Sequence, residues 1–357
     1  MANTLLTISM ITREAVRLWK NSNAFLQNID MQYDDSFAKS GAKIGTALRI
    51  RLPNDYTVRT GEAVSVQDTA ESSTTLSLAT VKGVDVAFSG VDRTLSLDDY
   101  SERILAPAIN NLTGDVATDI MSGAEGGICN IVGTTVTTPT LAIYLQAGAA
   151  LGKNSAPQGR RKVINSLDTE ARVLNLLTGL FNPNPTIGRQ YTTGVMQQAV
   201  GFDWLSDQTE ITHTTGTFSA GTINGALQTG LTLTTNAITG TLVKGDIITI
   251  AAVNAVNRIT KESLGQVRQF VVTAAVASLA TSIPIYPALI PLSAGAKVQY
   301  QTVDASPANG AAISLAVAVA SEVYRKNFAY APDAVTMVTA DMEIPGGVHE
   351  AAREAYD

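Results

Sequence analysis

The sequence of 357 residues has few of the side chains from which metal sites and disulfides are built. It contains one cysteine, Cys129, and two histidines, His213 and His349. A single cysteine excludes an intrachain disulfide, which is usual for intracellular and virion proteins. Two distant histidines without neighbouring acids or cysteines cannot form a Cys/His metal site. No metal or other cofactor is therefore expected.

Charge is also scarce, because only 16% of the residues are charged whereas 45% are hydrophobic. Such a composition favours a protein whose surface is covered by partners. The net charge is −6, and no cluster of Lys and Arg indicates a groove for nucleic acid. The short basic run at 159–162 is interpreted as the solvated start of a strand.

Long hydrophobic runs are missing as well. No apolar stretch reaches the roughly 18 residues that a membrane span needs. The N-terminal residues lack the charged start and the apolar run of a signal peptide. We expect a soluble protein, made in a cytoplasm and without membrane contact.

Candidate catalytic residues are few, and each has a simpler structural interpretation. No nucleophile stands beside a plausible base. His213 lies in a Thr-rich stretch and is expected at the surface, and Cys129 is expected to be a buried apolar residue. The run Lys244-Gly245-Asp246 predicts a tight turn between strands rather than a receptor-binding motif. The sequence therefore predicts that the protein is not an enzyme.

Hydrophobic periodicity predicts several helices. One covers 11–30, with a break near 21–23, and the strongest covers 96–123, where Pro107 can introduce a kink. A third falls within 138–154. A short strand at 161–164 is followed by a helix that Ser166 or Asp168 caps.

Strand patterns fill much of the rest. Two alternating segments, within 48–52 and 76–90, flank a polar connection, and such a hairpin needs support from another surface. Between 202 and 303, short Thr/Val/Ile runs separated by Gly, Asn and Pro predict a small β-barrel. From Pro307 a helical pattern returns, followed by a strand at 333–342.

The order of these parts resembles the major capsid (coat) proteins of tailed bacteriophages, and more narrowly those of short-tailed Salmonella-type phages. The local matches are "QQAVGFDWLSDQ", "TLVKGDIITIAAV" and "NFAYAPDAVTMVTADMEIP". The resemblance implies an α+β chain with the Hong Kong phage capsid fold and an inserted all-β barrel-like domain. The domains that it implies are an N-terminal arm (1–35), an extended hairpin loop (36–90), a peripheral domain with the spine helix (91–157), an axial domain (158–201 and 304–357) and the inserted barrel (202–303).

The resemblance also implies partners. The chain would assemble with itself into hexamers and pentamers of an icosahedral head, with a scaffolding protein and a portal. That head would enclose double-stranded DNA without sequence-specific binding, and the acidic balance suits such a lining. Assembly would take place in the host cytoplasm, without the covalent crosslinks of some relatives. Such proteins continue with further strands after the segment that ends here at Asp357, so a shortened or incomplete chain is expected.

The N-terminal helix and the hairpin have no obvious core of their own, so we interpret both as arms that reach neighbouring subunits. The candidate subunit contacts are Trp19, Phe25, Arg59, Glu62, Asp68 and Glu71. The alternative function is a receptor- or carbohydrate-binding tail or decoration protein of the virion, which the Thr- and Gly-rich barrel suggests. The long helix predicted at 96–123, which corresponds to the spine helix, and the N-terminal helix argue against this alternative.

Overall fold

The structure is a computed structural model of the chain. It describes residues 14–15, 17–18, 23–30, 47–59, 61–64, 66, 73–77, 80, 82–85, 101–135, 139–176, 196, 198–293 and 299–337. In this part of the chain the α-helices precede most of the strands. None of the described helices is long and apolar enough to cross a membrane.

The long predicted helix is present as α1, Ala106–Ala124, preceded by a wider π-helical turn, Ser101–Leu105. Pro107 lies in the first turn of α1, where its missing N–H leaves no hydrogen bond unmade. A 3-10 turn, Glu125–Gly127, follows the helix. The predicted start at 96 lies outside the described residues.

Two further helices agree with their sequence patterns. Helix α2 spans Leu141–Lys153 and α3 spans Leu167–Leu176. The hydroxyl of Ser166 accepts a hydrogen bond from the backbone N–H of Thr169 at 3.3 Å, so the predicted cap is confirmed. Of the predicted N-terminal helix, the structure describes helical residues at 14–15 and 17–18 and a 3-10 turn at Leu26–Asn28.

Helices α1–α3 pack with a mixed four-stranded sheet, and we call these elements together the body. The strands of this sheet are β3 (Arg161–Ser166), β4 (Gln198–Ala199), β5 (Phe202–Asp207) and β14 (Phe328–Tyr330), in the order β14-β3-β5-β4. Strands β3 and β5 are parallel, and the other pairs are antiparallel. The structure therefore places residues 202–207, which their composition assigns to the barrel, in the sheet of the body.

This sheet is covered on both faces, because successive residues of a strand point to opposite sides. Val163 packs on one face and Ile164 on the other. The buried cluster around Val163 is Tyr144, Val163, Val173, Met196, Phe202 and Trp204. The cluster around Ile164 is Phe25, Leu26, Ala117, Met121, Ile164, Ile211 and Tyr330. The basic run at 159–162 is predicted to be solvated, and this prediction is wrong at Arg161. Arg161 is buried and donates hydrogen bonds to three backbone carbonyls.

The chain leaves the body through β6 (Ile211–Thr214) and returns through β13 (Val323–Lys326). The two strands pair antiparallel from Val323↔Thr214 to Lys326↔Ile211. We call this two-stranded ribbon the neck. Between its strands, the described residues form strands β7 to β12 and no α-helix, and we call residues 215–318 the β unit.

The β unit contains a six-stranded sheet in the order β7-β12-β9-β10-β11-β8. Its strands are β7 (Gly221–Thr222), β8 (Gly230–Thr234), β9 (Ile247–Val256), β10 (Ser263–Val272), β11 (Ser282–Leu289) and β12 (Ala312–Leu315). A bridge between Ile223 and Thr235 joins the two ends of the sheet. The N–H of Asn224 donates to the carbonyl of Thr234 at 3.0 Å across this seam. The sheet thus closes on itself, which removes open edges.

Closure produces a separate apolar core inside the β unit. It comprises Phe218, Ile223, Leu233, Ile238, Leu242, Ile248, Ile250, Val253, Phe270, Val272, Val276, Ile283, Ile285, Leu289, Val303 and Ile313. The bulkiest of these side chains are almost fully removed from solvent. No residue of this cluster lies outside the β unit.

The helical interpretation of the segment after Pro307 is wrong, because this segment forms strands β12, β13 and β14. In β12, Ile313 is buried, Leu315 is partly buried and Ser314 between them is exposed. This alternation has the period of a strand, and pairing with β9 stabilises it. The local pattern of the segment predicts a helix, but tertiary pairing overrides such a preference.

The predicted hairpin is described at its base. Strand β1 (Ala47–Arg51) pairs antiparallel with β2 (Ser73–Ser77), with Arg51 opposite Ser73. The first strand matches its prediction, whereas the second begins earlier than expected, and residues 82–85 are not in a strand. We call residues 47–85 the arm.

Candidate functional site

The arm carries apolar side chains that its own chain does not cover. Val58 is 97% exposed, Val66 88% and Val64 80%. Tyr56 in the same loop is 59% exposed. Exposed apolar residues that follow one another in a loop are costly in water and mark an interaction surface.

The predicted contacts of the arm are described in part. Arg59 and Glu62 are exposed. The guanidinium of Arg59 donates to the carbonyls of Gly61 and Ala63, so it folds the tip of the arm while remaining accessible. Trp19, Asp68 and Glu71 lie outside the described residues.

Phe25 lies in the core of its own chain, where only 2% of it is exposed. The side chain of Asn23 accepts hydrogen bonds from the N–H groups of Phe25 and Leu26 at 2.9 and 3.1 Å. The ring of Phe25 meets that of Tyr330 edge to face, with centroids 6.5 Å apart. The segment around Phe25 is therefore part of the body.

Two sets of contacts hold the base of the arm. Arg258 of the β unit donates two hydrogen bonds to the carboxylate of Asp55, at 2.9 and 3.1 Å. On the other side, Lys82 pairs with Asp115 of α1 at 2.6 Å. These ion pairs are partly exposed, so each is worth little alone. Together they set the direction in which the exposed apolar loop leaves the subunit.

A second site lies at the neck, where four ionisable side chains from four elements meet. Glu125 follows α1, His213 is on β6, Asp246 is in the turn before β9, and Lys326 is on β13. We call these four residues the neck cluster. It connects the body, both strands of the neck and the β unit.

His213 is at the centre of the neck cluster. Its Nε2 lies 2.9 Å from Oδ1 of Asp246, and its Nδ1 lies 3.7 Å from Oε2 of Glu125. Only 5% of its side chain is exposed, so the expected surface position is wrong. His213 shares the inward face of β6 with Ile211, and both are buried.

Asp246, Glu125 and Lys326 make the other contacts of the neck cluster. The second oxygen of Asp246 accepts from the N–H groups of Val243 and Gly216, at 2.8 and 3.2 Å. Lys326 lies 3.1 Å from Oε1 of Glu125 and donates to the carbonyl of Gly245 at 3.3 Å. The predicted turn at 244–246 is confirmed.

Burial and pairing shift the pKa values of this cluster in opposite directions. Burial alone would lower the pKa of His213, but its hydrogen bond with Asp246 and the nearby carboxylate of Glu125 outweigh burial and raise it. Burial would raise the pKa of Glu125, but His213 and Lys326 lower it. For Lys326 burial dominates, and its pKa is lowered although Glu125 opposes this shift.

The neck cluster offers electrostatic attachment rather than chemistry. The aromatic group beside His213 is Tyr324, with ring centroids 5.5 Å apart, and burial raises the pKa of its phenol. No group of three potential ligands in the described part of the chain could hold a metal ion. Cys129 is buried, as predicted, and burial raises the pKa of its thiol.

Comparisons with known proteins agree with a structural role. The family model described as "P22 coat protein - gene protein 5" matches residues 38–351. No curated protein matches the chain. Among solved structures, the CUS-3 coat protein I-domain is 29% identical, and the match covers 28% of this chain and 96% of that chain with a TM-score of 0.23.

Two further structures are similar over longer stretches. A chain from Mycobacterium phage Che8 is 13% identical, with 60% of this chain and 84% of that chain covered and a TM-score of 0.39. The capsid structure of cyanophage P-SCSP1u is 10% identical, with 88% and 90% covered and a TM-score of 0.32.

The matching family model describes a coat protein, so the chain is of the class of shell subunits rather than enzymes. The family match covers most of the chain, and the chain belongs to the P22 coat protein family. It is a major capsid protein that forms the icosahedral head of a phage. The alternative of a tail or decoration protein is set aside.

Proposed function

We propose that this coat protein assembles by laying its arm on a neighbouring subunit, within hexamers and pentamers of the shell. The observation that carries this proposal is the exposure of Val58, Val64 and Val66. A solitary subunit leaves these side chains in water, whereas a neighbour would bury them and gain about 25 cal/mol per Å² of apolar surface. Arg59 and Glu62 would then form the polar rim of the contact.

The same proposal covers the other partners. A scaffolding protein and a portal would guide assembly in the host cytoplasm. The shell would enclose double-stranded DNA without reading its sequence. The net charge of −6 supports this, because an acidic protein does not compete for phosphates.

Replacing Val58 and Val66 with Asp should prevent shell formation without unfolding the subunit. Both side chains are exposed, so we expect the free energy of unfolding to change by less than about 0.5 kcal/mol. Shell yield should fall at least about tenfold, the effect of losing ~1.4 kcal/mol at a contact. Negative-stain microscopy and sedimentation measure the yield. Arg59→Glu should act in the same direction.

Leu279→Asp is the matched control, because Leu279 is 73% exposed but lies in a turn of the β unit. It should leave shell yield unchanged. Normal shells from the Val58 and Val66 double variant would contradict the role of the arm. Failure of the unaltered chain to form closed particles under any condition would contradict the proposed assembly itself.

We also propose a division of the chain into an N-terminal arm, a hairpin arm, peripheral and axial parts of the body, and an inserted β unit. The closed sheet and the separate core support an insertion at 215–318 rather than at 202–303. A fragment of residues 215–318 should therefore fold alone. Circular dichroism with a single cooperative melt and dispersed amide resonances would be expected, and a fragment of 202–303, which lacks β12, should be disordered. Disorder in both fragments would contradict an autonomous unit.

A further inference from the structure

The neck cluster has a property that shell formation alone does not require. Its two carboxylates belong to opposite sides of the neck, because Glu125 is on the body and Asp246 is in the β unit. His213 stands between them, within 3.7 Å of Glu125 and 2.9 Å of Asp246. One imidazole thus lies between a carboxylate of the body and a carboxylate of the β unit. It presents an N–H group to both carboxylates only when both ring nitrogens carry protons.

Charge balance depends on the same proton. With His213 charged, two cations face two carboxylates, since Lys326 is the other cation of the cluster. Without the proton, one carboxylate is left uncompensated in a buried site, which is unfavourable. Tyr324 also faces His213, and Lys244 of the turn and Glu322 before β13 are the other charged groups nearby. The arrangement therefore favours the attached state when the imidazole is protonated.

The segment that follows Glu125 lies against the β unit. Cys129 packs with Ile247 and Val271 of the β unit. The amide of Gln269 exchanges two hydrogen bonds with the backbone of Ile131, at 2.8 and 3.0 Å. Residues 125–131 are thus a strap from α1 onto the β unit, with the neck cluster at its start.

We propose that the neck cluster is a proton-dependent clasp, in which protonated His213 holds the strap on the β unit and loss of the proton lets the strap open. The sign follows from the direction of the pKa shift. Because the folded pKa of His213 is raised, its stabilisation is complete below the ordinary value of 6.5. It is lost as the pH rises through the raised value.

Cys129 is a built-in reporter, because it is the only cysteine and lies in the strap. The experiment measures the rate at which N-ethylmaleimide labels Cys129 in full-length, unassembled subunits between about pH 6 and about pH 9. Each rate is divided by the rate for the unfolded chain at the same pH, which corrects for the thiolate fraction of a freely exposed thiol. Protection should fall several-fold as the pH rises.

Substitutions identify the group whose titration causes the change in Cys129 protection. His213→Gln should abolish the pH dependence, whereas His349→Gln, which removes the other histidine, should retain it. Glu125→Gln removes one partner of the imidazole and should move the midpoint to lower pH. Equal protection of the unaltered chain at both pH extremes would overturn the proposal, as would an unchanged midpoint in Glu125→Gln or a lost transition in His349→Gln. None of these readouts requires a shell, so they stand apart from the test of assembly.

Discussion

Gly240→Ala should destabilise the subunit by about 3 kcal/mol or more, through a clash in the β unit. A Cβ atom at Gly240 would lie 2.1 Å from the carbonyl oxygen of Thr217, and the φ angle of Gly240 is +88°. Gly216 has the reciprocal relation, because its Cβ would lie 2.1 Å from the carbonyl oxygen of Thr241. The two segments cross so closely that neither has room for a methyl group.

Chemical unfolding of the full chain, followed by circular dichroism, measures this loss. Gly225→Ala is the matched control, since Gly225 has a similar φ of +89° but no atom within 4 Å of a new Cβ. It should cost only the backbone strain, about 1 kcal/mol. Gly216→Ala, at an ordinary φ, should show the clash alone. Equal losses in Gly240→Ala and Gly225→Ala would refute the close approach.

Asp246→Ala should be the most damaging change in the neck cluster, at about 3–5 kcal/mol. The carboxylate is fully buried and accepts from two backbone N–H groups besides its contact with His213. Removing it leaves these donors and the imidazole without an acceptor in a site that excludes water. Asp246→Asn should cost less, because one acceptor oxygen remains.

Asp304→Ala provides the control for burial. Asp304 also accepts three hydrogen bonds, from the backbone and side chain of Asn254 and from Ser263, but it is only partly buried. Water can replace the lost acceptor there, so we expect a cost of about 1 kcal/mol. Equal effects of the two Asp→Ala variants in denaturant titrations would show that burial does not determine the cost at Asp246.

Local patterns predict helices α1–α3 well and the neck poorly. The apolar repeat of α1 and the Ser166 cap are properties of neighbouring residues, so the sequence contains them. The Thr-rich context of His213 predicts a surface position, whereas the alternation of β6 places it on the buried face. Its position two residues after Ile211 was the signal for a buried face. The partner Asp246 is 33 residues away, and no local pattern specifies such a pairing.

The sequence pattern does not predict the strands after Pro307, for the same reason. Strand β12 exists because β7 and β9 lie on either side of it, and both are far away in sequence. The barrel was recognised as a region from its Thr/Val/Ile runs, but its limits depend on which strands pair. Residues 202–207 look like barrel strands by composition, yet their register with β3 places them in the body.

The neck also determines how the subunit responds to mechanical load. Both of its strands run between the body and the β unit. A force that pulls the body away from the β unit is therefore shared by both strands. It does not slide one strand past the other, so the hydrogen bonds between them are not sheared. A sideways force bends a ribbon only two strands wide, which resists little by itself. The neck cluster and the strap at 125–131 also join the body to the β unit, and they add resistance to that bending. The joint is therefore strong in tension and compliant in flexure.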